Sequence, residues 1–576
     1  MKLNSKILWT RLLFVALILL LINVIGSYIY TRLDLTSEKR FSLSPTTKKL
    51  LSNMKSKVYV KVYLDGELQS GFLRLRNSAE DILKEMSNYS DGRITYDFVN
   101  PIKNATTEDE KVKIYQELAA KGLNGINLKL QTEESYKEQL VFPCLNVSID
   151  GRSEPVNFLE QQIGYSAEEK LNNSIIGLEY KIGNAIKKLT HRKEYNIAIM
   201  QGHGEYSPEQ LFDMARFLEE SKYNITAVDV SARVQSKDGD SVGTWIPPNT
   251  NLLIIARPTK PFSDVEKYRI DQFVMNGGKI LWAIDAMDAR LEYIRNAENM
   301  FMAHRFNLNL DDLLFKYGVR INPNLIQDAQ QSAPIPLMTT DSREPILLPW
   351  LFNPLLTPSN KSAIGRNLDP ILSQYASSMD LIENDIKKTV ILSTSQYGRA
   401  IPEPVRVHLG SIKDKPDFKY FKQPNLTAGV LLEGKFNSLF KNRLDNEFVK
   451  QAKELGMEPK EVSVNNRMII LSDADIIRNE IGKNGETYPM GYEPYSREIF
   501  GNKAFILNCI EYLLDDENLL EARNKEIKVR LLDAKKAKQE AGKWQLINLI
   551  VPFLFVVIFA IIYRYVRVRK WSKIAQ

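Results

Sequence analysis

Residues 196–205 read NIAIMQGHGE, an apolar run short enough for a strand that ends in a histidine held between two glycines. Ser207 and Pro208 follow as a helix-start pair. The same grammar recurs downstream in NITAVDV (224–230), NLLIIAR (251–257), a helical stretch over 263–275 and KILWAID (279–285). Strands that are apolar nearly throughout and alternate with helices predict a parallel sheet covered on both faces. Asn276, Gly277 and Gly278 supply the stop and turn between the last helix and strand. Strands near Thr389–Ser393, Ala428–Leu432 and Met468–Leu471 are expected to complete the sheet. The proline-rich stretch 322–370 interrupts the pattern, and its part 329–358 reads as a loop or lid.

Upstream the pattern is different. VYVKVYL (58–64) alternates like a half-buried strand, residues 72–89 carry helical spacing, and ITYDFVN (94–100) is a second strand. A helix near 107–120, a hairpin of CLNVSI and EPVNFL turning at Asp150 and Gly151, and a helix over 167–189 follow. This βαβ, α, ββ, α order is similar to the thioredoxin fold. Asp65, Gly66, Glu67 and Leu68 stand where a Cys-x-x-Cys pair would follow the first strand, so thiol redox chemistry is not expected there.

Both ends of the chain are apolar. Leu12–Ile22, continuing to Tyr30, and Leu546–Tyr563 are each long enough as helices to approach the roughly 30 Å of a bilayer core. Lys2, Lys6 and Arg11 precede the first, while Arg564, Arg567, Arg569, Lys570 and Lys573 follow the second, which predicts two cytoplasmic termini at the inner membrane and a periplasmic bulk. A cleaved signal peptide is the alternative for the first segment, but no Ala-x-Ala site follows it. The expected layout is a cytoplasmic N-terminus and first span (1–30), a juxtamembrane linker (31–57), a first α/β domain (58–190) and a second α/β domain (191–515). A charged helical stalk (516–543), a second span (544–563) and a basic tail (564–576) complete it. The stalk reads either as a docking lever or as a solvated connector. Asn23 and Asn548 carry amides that lipid cannot satisfy, and Gly26 and Ser27 allow close helix approach, so these four are candidate contacts to partner helices in the membrane.

At 576 residues, 26% charged and 44% hydrophobic, the chain has the make-up of folded domains and exceeds one core. The net charge of +7 is modest and lies largely beside the spans, where anionic lipid is the partner; it carries no nucleic-acid footprint. The two cysteines, Cys144 and Cys509, exclude a disulfide scaffold and read as buried thiols, with pairing in an oxidising periplasm the alternative. No phosphate loop of the G-x-x-x-x-G-K-[ST] type, no G-x-S-x-G elbow and no H-E-x-x-H pair occurs. No catalytic residue, metal site or cofactor is therefore expected. Of four histidines only His203 sits at the carboxyl end of a strand. Gly202, His203, Gly204 and Glu205 form a candidate contact loop, read as a satisfied turn or as an acid/base pair or half a metal site. Asp285 and Asp288, past another strand, join it as weaker candidates.

The basic start, one span, RLDLTSEKRFSLSPTTKKLL (32–51), a thioredoxin-like unit, IMQGHGE and a terminal span with a basic tail resemble the gliding-motility ABC-transporter auxiliary proteins of the Bacteroidetes, GldG-like. The resemblance implies a non-ATPase, so-called substrate-binding subunit, partnered by a multi-span permease and a separate ATPase in gliding and envelope export. It also implies a second domain similar to flavodoxin-like and class I amidotransferase-like folds. No cysteine stands at a nucleophile position after a strand, so amidotransferase activity does not carry over. A membrane-tethered enzyme using the His203 region and a structural envelope scaffold are the alternative functions.

Overall fold

The computed structural model describes residues 42–131, 136–159, 167–190, 194–231, 233–235, 241–294, 299–337, 345–413, 416–441, 459–482, 484–515 and 534–572, and helical residues 14, 15, 17, 18, 20 and 21. Two compact units result, residues 1–525 and 526–576.

The first unit opens on helix α1 (Pro45–Ser52), with Pro45 in its first turn and the Ser44 hydroxyl accepting from the Thr47 N–H at 3.2 Å. Strand β1 (Val58–Val62), α2 (Ser70–Tyr89), β2 (Ile94–Phe98) and α3 (Glu108–Ala120) follow. Next come β3 (Ile126–Gln131), β4 (Tyr136–Val141), β5 (Cys144–Ile149), β6 (Arg152–Asn157) and α4 (Ala167–Thr190). The sheet order is β2-β1-β5-β6, with β1 parallel to β2 and antiparallel to β5. Hairpin β3–β4, absent from the sequence reading, stands apart from it. Because successive side chains alternate, Val58, Val60 and Val62 all face the core with Leu75 and Leu83 of α2 and Leu178 and Ile182 of α4. Asp150 and Gly151 join β5 to β6 with φ of 48° and 78°, the left-handed pair that a two-residue hairpin turn requires.

The second sheet begins with β7 (Asn196–Gln201), α5 (Phe212–Glu220), β8 (Asn224–Asp229), β9 (Leu252–Ala256), α6 (Asp264–Met275) and β10 (Lys279–Ala283). Helix α7 (Asp311–Tyr317), β11 (Ser332–Leu337), β12 (Ile346–Pro358), β13 (Lys387–Ser393), β14 (Thr427–Asn437), β15 (Val462–Leu471) and α8 (Asn502–Leu514) complete it. Nine strands run in the order β11-β12-β13-β14-β15-β10-β9-β7-β8, and Ile371–Leu372 pairs beside β12 as a tenth. Alternation again divides the core in two. Ile197, Leu252, Ile254, Leu281 and Ile469 pack toward α5 and α8, while Ala198, Leu253, Ile255, Trp282 and Ile470 pack toward α6 and α7. The result is three layers, helix, sheet, helix, and every residue of β9 is buried.

Three expectations need correction. The sheet is parallel only across β8-β7-β9-β10-β15; from β15 onward through β14, β13, β12 and β11 each pairing is antiparallel. An apolar run specifies a buried strand but not its direction, so the sequence pattern could not separate the two halves. The stretch 329–358 is no lid: it supplies β11 and the 13-residue β12, because Ile335, Trp350 and Phe352 share an apolar cluster with Tyr375, Val405 and Val407. Pro334 borders an irregular register between Ser332 and Pro334. Helix α5 also starts later than Ser207 and Pro208 suggest, after a turn over 208–211.

Cys144 and Cys509 are both buried, the first with Leu118, Leu123 and Phe142, the second in the α8 face of the large sheet. In the second unit, α9 (Ala534–Ser572) contains a 30-residue stretch, Glu540–Arg569, long and apolar enough to cross a membrane. Asn548 is exposed on it. Asn23, Gly26 and Ser27 lie outside the described residues, as does 516–533 of the expected stalk.

Candidate functional site

The parallel strands β7, β9, β10 and β15 end side by side, so the residues just past them, 202–206, 257, 284–288 and 472–478, gather at one edge of the sheet. In open α/β sheets this carboxyl edge is where ligand crevices form.

The GHGE loop is tightly built. Gly202 adopts φ 112°, where an added Cβ would lie 2.3 Å from Asp229 Oδ1, and Gly204 adopts φ 79° against the Thr259 hydroxyl. His203 is 3% exposed, stacks on Phe262 and accepts through its carbonyl from the Thr259 and Lys260 N–H groups at 2.8 and 2.9 Å. Its Nε2 lies 3.4 Å from Glu266 Oε2, and its Nδ1 lies 3.8 Å from Glu205 Oε1. Glu205 folds back so that Oε2 accepts the His203 N–H at 2.7 Å. Burial raises the Glu205 pKa, against the hydrogen bonds and the His203 charge that lower it. Backbone and ring contacts hold the loop in place, but His203 Nδ1 and Glu205 Oε1 are buried without a hydrogen-bond partner among the described residues.

The chemistry gathers next to it. Tyr206, the residue after Glu205, donates to Asp475 Oδ1 at 2.6 Å. Asp475 is paired with Arg478, which also reaches Glu480 Oε1 at 3.0 Å. Asp285 accepts from Arg257 Nε at 2.7 Å and from the Ala474 N–H at 2.7 Å. Asp473 accepts from the Gln374 and Asp475 N–H groups, each at 2.8 Å. Burial, followed by repulsion from Asp475, pushes Asp285 up to about 6 despite Arg257. The same two causes, with Asp285 as an additional repelling charge, drive Asp473 well above the carboxylate range. Burial would lower the Arg257 pKa, but the Asp285 charge overrides it and the net direction is up.

These groups surround a cavity of about 80 Å³ lined by Tyr206, Gln210, Arg257, Arg290, Gln374 and Asp475, among others. Thus Asp285 belongs to the site and the GHGE loop borders it through Tyr206. Asp288 does not join them: it accepts from the Tyr293 hydroxyl at 3.1 Å and pairs with His304 across two short strands. Sequence reasoning missed Arg257, Asp473, Asp475 and Arg478, although Arg257 follows LLIIA and Asp473 follows MIILS, the strand-end positions that singled out His203. No group of three or more metal-ligating side chains forms among the described residues.

Comparison with known proteins gives a consistent picture. A protein of Borreliella burgdorferi described as "Uncharacterized protein" is 20% identical over 552 residues, 94% of each chain. The N-terminal domain of mmIFT52 aligns at 11% identity over 55% of this chain and 97% of its own, with a TM-score of 0.30, too low to carry an argument. Residues 37–148 match a domain of unknown function, DUF7088. Residues 194–509, more than half of the sequence and the whole neighbourhood of the crevice, match the family described as ABC-type uncharacterized transport system, ABC_transp_aux, and the chain belongs to that family.

Proposed function

We propose that this protein is a noncatalytic, membrane-anchored subunit of an ABC transport system, with its folded bulk on the periplasmic side and both termini in the cytoplasm. The observation that carries the reading is the joining, in one chain, of the auxiliary-family domain to the apolar helix α9. The chain has no phosphate loop, so ATP-driven work falls to a separate ATPase acting through a multi-span permease. The spans dock on that permease through Asn23, Gly26, Ser27 and Asn548, and the periplasmic part contacts cargo or envelope components. Gliding motility and envelope export in a Bacteroidetes-type cell are the setting that the GldG-like motifs suggest. The β2-β1-β5-β6 order supports reading the first sheet as thioredoxin-like without its redox pair. Recovery of the intact chain from detergent with a permease and an ATPase tests the proposal. Recovery of the chain without either, from membranes in which both are expressed, overturns it.

A further inference from the structure

We propose that the crevice at the ends of β7, β9, β10 and β15 is a receptor for a carboxylate group, gripped by the guanidinium of Arg257. Arg257 is 5% exposed and lines the cavity, yet its Nη2 has no hydrogen-bond partner among the described residues. A buried cationic donor left unmatched is costly, which marks it as a group awaiting an acceptor. The rest of Arg257 is held in place. Nε is fixed by Asp285, the guanidinium lies 5.5 Å from the Tyr206 ring and 5.7 Å from the Phe306 ring, and the backbone takes φ 61°, a left-handed conformation rare outside glycine. Such over-determination fixes the guanidinium at the wall of the crevice before a ligand arrives.

The lining selects the chemistry. Gln210 already accepts the Ser207 N–H through Oε1, so what it has left to offer is its amide donors; Gln374 contributes a second amide and Arg290 a second cation. Against these stand Asp475 and Glu292 on the wall and Asp285 behind Arg257. Arg257 is thus half-neutralised and Arg478 is answered by Asp475 and Glu480. A monoanion with two acceptor oxygens suffers less repulsion than a dianion would from the carboxylates of Asp285, Glu292, Asp475 and Glu480. A cavity of about 80 Å³ accommodates a carboxylate and a few adjoining atoms. The ligand is therefore a small carboxylic acid or the C-terminal end of a peptide, and this assignment does not depend on the transporter assignment.

The test uses the full chain in detergent at pH 7, titrated calorimetrically with N-acetyl-alanyl-alanine, its C-terminal amide, acetate and inorganic phosphate. Saturable binding of the peptide acid or of acetate, with the amide and phosphate each roughly tenfold weaker or worse, is expected; the ratio of acid to acetate tells a peptide end from a free small acid. Arg257→Gln, checked for folding by circular dichroism, abolishes the binding. Should that variant not fold, Gln374→Ala weakens binding several-fold while leaving the thermal transition in place. Equal binding of the amide, tighter binding of phosphate, no saturable binding of either carboxylate, or unchanged affinity in the folded variants overturns the proposal.

Discussion

The imidazole of His203 lies flat on the ring of Phe262, with centroids 3.9 Å apart and planes 9° from parallel. This stack, together with the two N–H groups donated to the His203 carbonyl, fixes the GHGE loop to the segment leading into α6. His203→Ala removes the ring and leaves a hole beside Phe262, so it is expected to lower stability by about 2 kcal/mol. Because His203 is not in the crevice lining, carboxylate binding by the folded variant stays within a few-fold of wild type. Denaturant unfolding gives the first quantity and calorimetry the second; an unchanged midpoint would show that the stack contributes nothing.

Gly202 is under a stricter constraint. Its φ of 112° is one that side chains rarely adopt, and a Cβ would collide with Asp229 Oδ1 and, at 2.8 Å, with Ser231 Oγ. Those atoms are themselves joined, Ser231 N–H and Oγ donating to Asp229 Oδ1 at 2.8 and 2.6 Å. Gly202→Ala must therefore break a local turn as well as strain the backbone, and a loss of about 2 to 3 kcal/mol is expected. Equal urea midpoints for the variant and wild type would contradict this.

Asp285 makes stability depend on pH in an unusual direction. Its folded pKa of about 6 lies above the ordinary 3.8, so the folded state holds the proton more tightly than the unfolded chain between those values. Stability from this group is present below pH 3.8, falls as pH rises through the window and is fully lost above 6, about 3 kcal/mol in all. Asp473 acts with the same sign. Asp285→Asn keeps a neutral side chain at this position at every pH, so its urea midpoint falls less than that of wild type between pH 4 and pH 7. Parallel midpoint curves would show that Asp285 is already ionised at pH 4 in the folded protein.

Much of this architecture is written locally. The apolar runs at 196–201, 252–256 and 279–283 mark strands by composition alone, and Ser263 with Glu266 marks a helix start that forms as a reciprocal cap. Residues 332–358 are different: their prolines read as punctuation, and only the distant partners Tyr375, Val405 and Val407 make Trp350 and Phe352 core residues. The site divides the same way. His203 and Asp285 stood out because each follows a strand, but the bond from Arg257 to Asp285 spans 28 positions and that from Tyr206 to Asp475 spans 269. No local pattern encodes such pairings; they follow from strand order.

The contact between α4 and α8 seats Tyr180 in the apolar cluster of the large sheet and adds specific polar bonds around it. Tyr180, Asn184 and Lys187 of α4 reach α8 and its end, with the Tyr180 hydroxyl donating to Glu511, Asn184 Nδ2 to Glu511 Oε1 at 3.2 Å and Lys187 Nζ to Asp515 Oδ1 at 2.5 Å. The side chains of Lys187 and Asp515 are only 16% and 6% exposed, so this pair is screened far less than a surface bridge. Lys187→Ala removes this buried ion pair and is expected to cost about 1 to 3 kcal/mol. Each sheet has its own apolar cluster, so the loss should fall on their docking and not on either core. Calorimetric scans then show one transition in wild type dividing into two in Lys187→Ala combined with Glu511→Ala. A single transition shifted as a whole would mean instead that the sheets unfold as one body without these contacts.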